Sequence, residues 1–313
     1  MRQYGPGNPL VFSHIPKTAG TSLTAALRDA IAPEVFVMGM DTSLAGGYDD
    51  FDAFDQTAMD MMYLSPEALP ADATLVAGHI GPHTTMTRYP GADHITFLRN
   101  PRSRIVSQWM HSRALTEFDI RHWGRGAKAF RVGWGSLADY LMHPLVATNT
   151  DNTIARFLAW PNDLMPGNDF IAPENDDAIA AAALARLDAM AHVDLVENPD
   201  LTSGLGRWLG ADLSGDRLNE RAFVPRRMRP DFAAELDQRT RDLLAERTRI
   251  DERLWRQVAA RVLPDADLDA LLERSFDDAI ARYVESFKNP DTSRPLRKVV
   301  AFGYNTVKRS GRR

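Results

Sequence analysis

Three stretches in the first third of the chain place charge and hydrogen-bond donors at spacings suited to an anion. The first reads Leu10-Val-Phe-Ser-His14-Ile-Pro-Lys17-Thr18-Ala19-Gly20-Thr21-Ser22-Leu23. A short apolar run with a β-forming centre ends in a turn, and a helical period follows. The first N–H groups of such a helix lack intrahelical acceptors and attract phosphate oxygens. Gly20 allows the backbone close approach, Thr18, Thr21 and Ser22 add hydroxyls, and Lys17 adds a full charge. The pattern is not the triphosphatase loop G-x-x-x-x-G-K-[ST], because here lysine precedes glycine.

The second stretch is His94-Ile-Thr-Phe-Leu-Arg99-Asn100-Pro101-Arg-Ser-Arg-Ile-Val-Ser107-Gln-Trp109. It reads as a strand and then a helix through about Ser112, with Asn100 as N-cap and proline at the first helical position. Arg99 falls at the carboxyl end of its strand, where ligands of open α/β sheets gather, and a guanidinium binds phosphate bidentately. Ser107 lies two turns into the helix and can donate to the same group, whereas Arg102 and Arg104 are expected at the surface.

The third stretch, Ala73-Thr-Leu-Val-Ala77-Gly78-His79, delivers a histidine to the same sheet edge, with Gly78 leaving room for a reactant. Imidazole is the simplest general base near neutral pH. His83, in a Gly-Pro-rich loop, is the alternative base or a substrate contact. His14 is expected to pack against the first turn. His94, His111, His122, His143 and His192 are expected at the surface or in the core. No histidine pair has metal-ligand spacing, so no metal is assigned.

Strands at 10–14, 34–38, 73–77, 95–98 and 192–197 alternate with helical periods, the first of them stopping before Pro33. This predicts an α/β protein with a mostly parallel, helix-covered sheet. Beyond Gly135 the pattern is mainly helical, at 137–142, 150–158, 176–190 and from Phe232 onward. Leu268, Leu271, Leu272, Phe276, Ile280, Tyr283, Val284 and Phe287 form an amphipathic helix between Pro264 and Pro290. The expected division is 1–263 for the main domain, 264–289 for this helix and 290–313 for a basic tail.

Composition narrows the function classes. The 313 residues are 44% hydrophobic and 25% charged with no cysteine, which excludes thiolate catalysis, disulfides and Cys-based zinc sites. The net charge of −5 argues against nucleic acid as a partner. The charge is uneven: from Lys288 onward eight bases face one acid, Asp291. An amphipathic helix followed by such a tail has two ingredients for peripheral contact with an anionic membrane; the other expectation is a packed helix and a solvated tail. The amino terminus lacks the apolar core of a signal peptide, and no apolar run reaches the ~20 residues of a membrane helix, so a cytoplasmic protein is expected.

The string His-Ile-Pro-Lys-Thr-Ala-Gly-Thr-Ser resembles the 5′-phosphosulfate loop of sulfotransferases that use 3′-phosphoadenosine 5′-phosphosulfate (PAPS). It is closest to the branch holding the Golgi carbohydrate sulfotransferases and their bacterial relatives. Arg99-Asn-Pro-x-x-Arg-x-x-Ser107 resembles that family's 3′-phosphate motif. The resemblance implies a P-loop-like sulfotransferase fold. It implies PAPS held by Lys17, Thr18, Ala19, Gly20, Thr21, Ser22, Arg99 and Ser107 without metal, and catalysis by Lys17 and His79. The acceptor would be a hydroxyl of a sugar or a lipid-linked sugar. Related carbohydrate 2-O-sulfotransferases commonly carry His-Gly-His, whereas this chain has Ala77 in the first place. Asn149, Asn152 and Arg156, in a helix resembling the family's acceptor-cleft helix, are candidate acceptor contacts, the alternative being that they cap the helix and face solvent. Arg226 and Arg227 are candidates for a late basic loop over the cofactor. The resemblance covers about residues 10–262. The alternative function is a catalytically inactive nucleotide- or glycan-binding relative; a phosphoryl-transfer enzyme is disfavoured because no acidic Mg²⁺ site accompanies the loop.

Overall fold

A computed structural model describes residues 2–45, 54–213 and 224–288. Five strands, β1 (Leu10–Ser13), β2 (Phe36–Val37), β3 (Leu75–Gly78), β4 (Asp93–Leu98) and β5 (His192–Leu195), make one sheet in the order β2-β3-β1-β4-β5. Every pairing is parallel, so all five carboxyl ends share one edge. The helices needed below are α1 (Gly20–Ile31), α2 (Pro82–Arg88), α3 (Pro101–Ala114), α4 (Leu137–Met142) and α5 (Thr153–Ala159). They continue as α6 (Asp176–Asp188), α7 (Leu201–Leu209), α8 (Gln238–Arg247), α9 (Arg249–Val262) and α10 (Leu268–Lys288).

β1 lies in the middle of the sheet and is buried throughout, as a parallel strand covered on both faces must be. Leu10 and Phe12 pack with Leu23 and Leu27 of α1 and Leu201, Leu205 and Leu209 of α7, while Val11 packs with Val37, Val76 and Tyr89. The α/β architecture expected from the alternating pattern is the observed one, and the half after Gly135 is mainly helical.

Two helical expectations change. The stretch expected over 150–158 is broken: a short turn ends at Thr150, and α5 starts after Asn152, which sits at φ 49°. Arg104, expected at the surface, is fully buried, because later helices wrap α3 on all sides. Its Nη2 donates to the Asn149 carbonyl and the Thr153 hydroxyl, and burial pulls its pKa down to about 10. Arg102 is mostly covered and pairs with Glu252 at 3.2 Å and Glu273 at 2.7 Å.

The apolar face of α10 lies in the core. Leu272, Phe276, Ala279 and Tyr283 are buried, with Phe276 and Tyr283 against Ile105, Val106 and Trp109 of α3. Asn100 ties the two helices. Its Oδ1 caps Ser103 N–H, and its Nδ2 donates to the Leu272 carbonyl and the Ser275 hydroxyl, both at 2.7 Å. The face expected to meet a membrane is therefore occupied by the protein itself; the basic residues from 289 lie outside the described residues. Among the described residues no helix is long and apolar enough to cross a membrane.

Candidate active site

Each strand delivers residues from its carboxyl end into one cavity of about 780 Å³. β1 leads to His14, Lys17 and the start of α1; β3 to His79; β4 to Arg99; β5 to Val196 and Glu197; and β2 to Met40 and Asp41. A parallel sheet concentrates strand ends in this way, and a volume of this order suits a small ligand.

The turn after β1 is built on unusual backbone. Lys17 (φ 71°) and Ala19 (φ 62°) both adopt the left-handed region, a cost on the order of 1–3 kcal/mol each that persists only where the surroundings impose it. Ala19 forms the N-cap of α1, and Gly20, Thr21 and Ser22 follow it along the cavity wall. Gly20 is obligatory for a reason sequence did not give: a Cβ there would stand 1.9 Å from the His14 ring. Thr18 is a correction. Its hydroxyl and N–H both donate to the Ile15 carbonyl, and its side chain is fully buried, so it braces the turn instead of facing the cavity.

His79 lies beside His14, with ring centroids 4.5 Å apart. Its Nδ1–H donates to the His14 carbonyl at 2.7 Å, which leaves the Nε2 lone pair as the basic atom. Burial, together with the Lys17 charge, lowers its pKa against the pull of that hydrogen bond. His14 is lowered further, by burial and then by His79 and Lys17. Both rings are thus neutral at pH 7, and His79 is ready to accept a proton. Gly78 is another correction: the space where its Cβ would stand is filled by the Gly39 carbonyl at 2.3 Å, not kept for a reactant.

Arg99 donates from Nη1 to the Lys17 carbonyl at 3.1 Å, joining the β4 cation to the β1 turn. Ser107 faces the same cavity and accepts from the Tyr283 hydroxyl of α10 at 3.3 Å. Glu197 is held beneath by Asn100 N–H and Trp255 Nε1–H; burial pushes its pKa up against those bonds and the Arg99 charge. Two cations, a helix start and a hydroxyl can hold a dianionic ligand, with a neutral imidazole at its flank.

Other candidates fall elsewhere. His83 is exposed on α2, a helix and not a loop, and does not line the cavity. Asn149 does line it. Asn152 is buried, its Oδ1 accepting from Ile250 and Asp251 N–H. Arg156 is buried against Asp151 at 2.8 Å and the carbonyls of Pro166 and Asp169. Both hold α5 against its neighbours and are not acceptor contacts. Arg226 and Arg227 are exposed and outside the described lining.

Sequence reasoning missed Arg274, Asp278 and Arg282 of α10 and His111 of α3, all in the cavity wall. The three-to-four-residue spacing of the α10 polar face was visible, but nothing local said that this face would meet a ligand.

A comparison with curated proteins returns no match. Residues 4–131, the stretch from ahead of β1 to beyond α3 that carries Lys17, His79, Arg99 and Ser107, match the model of the sulfotransferase family.

Proposed function

We propose that the protein transfers the sulfonate of PAPS to a hydroxyl of a carbohydrate or carbohydrate–lipid acceptor. The observation that carries this reading is the convergence of Lys17, Arg99 and a neutral His79 from three adjacent parallel strands on one cavity. The site fits such a donor: the α1 start and Lys17 suit the 5′-phosphosulfate end, and Arg99 with Ser107 suits the 3′-phosphate. The Arg99–Lys17 hydrogen bond couples the two. PAPS supplies the activated sulfonate; the protein supplies alignment, charge and a base. His79 Nε2 takes the acceptor hydroxyl proton as the oxygen attacks sulfur. Lys17 and the α1 N–H groups stabilise charge growing on the departing phosphate.

Calorimetry with adenosine 3′,5′-bisphosphate (PAP) tests the donor half. PAP should bind without added metal and more tightly than AMP by about ten- to a hundred-fold, the worth of a charge-assisted phosphate interaction. Equal affinity for AMP, or an absolute Mg²⁺ requirement, overturns the reading. Mass spectrometry of cell extract incubated with protein and PAPS should show acceptors heavier by one sulfonate; PAP binding with no such product favours the inactive relative.

A further inference from the structure

α10 lies beyond the family match, yet it touches one of the residues that suit the donor nucleotide. The Tyr283 hydroxyl donates to Ser107 Oγ at 3.3 Å. Both side chains line the cavity, and with Ser107 7% and Tyr283 9% exposed the bond between them is shielded from bulk water.

The packing leaves Tyr283 little choice of direction. Its ring lies against Phe232, with centroids 6.1 Å apart, and shares a cluster with Ile105, Val106 and Trp109 of α3. At the start of α3, Asn100 Nδ2 donates to the Leu272 carbonyl and the Ser275 hydroxyl, and the Ser103 hydroxyl donates to the Ser275 carbonyl. From Asn100 to Ser107 on one helix, and from Ser275 to Tyr283 on the other, the chain advances about two turns, or roughly 10–12 Å. The two helices therefore run side by side in the same direction. The clamp at Asn100 sets the register that brings Tyr283 onto Ser107.

A serine hydroxyl has one hydrogen to give and two lone pairs to accept with. Inside a helix that hydrogen often goes to the carbonyl one turn back, as Ser112 gives its own to Gln108 and Thr150 to Val146. Among the described residues the partner of Ser107 is Tyr283 instead, and there the serine accepts. Its hydrogen is left for the cavity, which Arg99 also lines. A hydroxyl that already accepts a hydrogen bond is polarised and donates more strongly.

Resting on the sulfonate-transfer reading, we propose that Tyr283 is a positioning residue for the donor's 3′-phosphate. By donating to Ser107 it commits the serine hydrogen to that phosphate, and α10 thereby shares in selecting nucleotides that carry a 3′-phosphate over those that lack it. Removing only the Tyr283 hydroxyl would keep the ring in the core but free Ser107 to turn its hydrogen back to its own helix. Tyr283 acts through Ser107 and not on the sulfonate, so its effect belongs to nucleotide affinity.

The test is calorimetry of PAP and AMP on the full chain and on Tyr283→Phe, Ser107→Ala and the double variant. Tyr283→Phe should weaken PAP by about three- to tenfold, the worth of one ordinary hydrogen bond, and leave AMP affinity unchanged. In the Ser107→Ala background the same change should have no further effect, because the group it acts through is gone. That comparison stays decisive if Tyr283→Phe also costs stability, since lost packing would weaken PAP in either background. Unaltered PAP affinity in Tyr283→Phe overturns the proposal, as does equal weakening of PAP and AMP, or an effect that adds in full to that of Ser107→Ala. A parent protein that binds PAP no better than AMP brings down the donor reading itself. One that discriminates, with Tyr283→Phe discriminating equally well, brings down this inference alone.

Discussion

The cavity has two walls of different origin. One is the sheet edge with the starts of α1 and α3, which, apart from the β5 end with Val196 and Glu197, lies within the family match of residues 4–131. The other is α10, more than a hundred residues beyond it, which contributes Arg274, Ser275, Asp278, Arg282 and Tyr283. The first is set by backbone: strand ends, two left-handed residues and a proline-started helix put each functional atom within a few residues of the element that aims it. The second is set by packing, since α10 reaches the site only because Leu272, Phe276 and Tyr283 bury themselves against the core. A site of this kind has chemistry that short motifs encode and a cover that they do not.

The sharpest break of the comparison is at His79. His79→Ala should lower kcat by about 10²–10⁴-fold, as removal of a general base does, with PAP affinity nearly kept. His83→Ala, on the exposed face of α2, should leave both nearly unchanged. If His83→Ala is the more damaging, the base is misassigned.

The α10 wall should break through stability before chemistry. Phe276 is 1% exposed and spans the α3–α10 junction, so Phe276→Ala should cost about 3–5 kcal/mol in urea unfolding. A cost near zero would mean that α10 is an appendage and the comparison is mistaken.

Next come the two cations. Arg99→Ala should weaken PAP by about ten- to a hundred-fold, because the sheet edge then offers the 3′-phosphate one charge-assisted partner fewer. Arg274 is exposed at the cavity, so Arg274→Ala should cost less, about two- to fivefold, and its effect should fade in high salt. Equal effects would put α10 on the same footing as the motif wall.

Legibility in the sequence follows the same line. The strands, the α1 turn, the Asn100 cap and the edge positions of Lys17, His79 and Arg99 were readable because each depends on neighbours within about ten residues. Thr18, Gly78, Asn152 and Arg156 were misread because their partners, Ile15, Gly39, Ile250 and Asp151, are fixed by turn geometry or distant packing. Arg104 was misread as surface because a helix start with three arginines looks solvated until α5 and α9 close over it. Met40, Phe54 and Trp123 carried no motif at all and converge only through the fold.

The smallest effect expected is in pH dependence, and it separates the walls once more. His14 and His79 both have pKa values lowered chiefly by burial from the ordinary 6.5. The unfolded chain therefore binds protons at these positions at a higher pH than the folded one does. Stability from this source is fully present above about pH 6.5 and declines as the pH falls below it, through the lowered folded values. The same lowering places the acid limb of kcat/KM below 6.5, because the limb marks protonation of His79 in the free enzyme. Replacing His79 with Gln should flatten the acid-side fall in Tm between pH 7 and 5 while abolishing turnover. Arg274→Ala should shift affinity at every pH and leave the position of the limb where it was. A limb at or above 6.5, or one that moves with Arg274, would show that the proton-accepting group does not sit in the buried pocket beside His14.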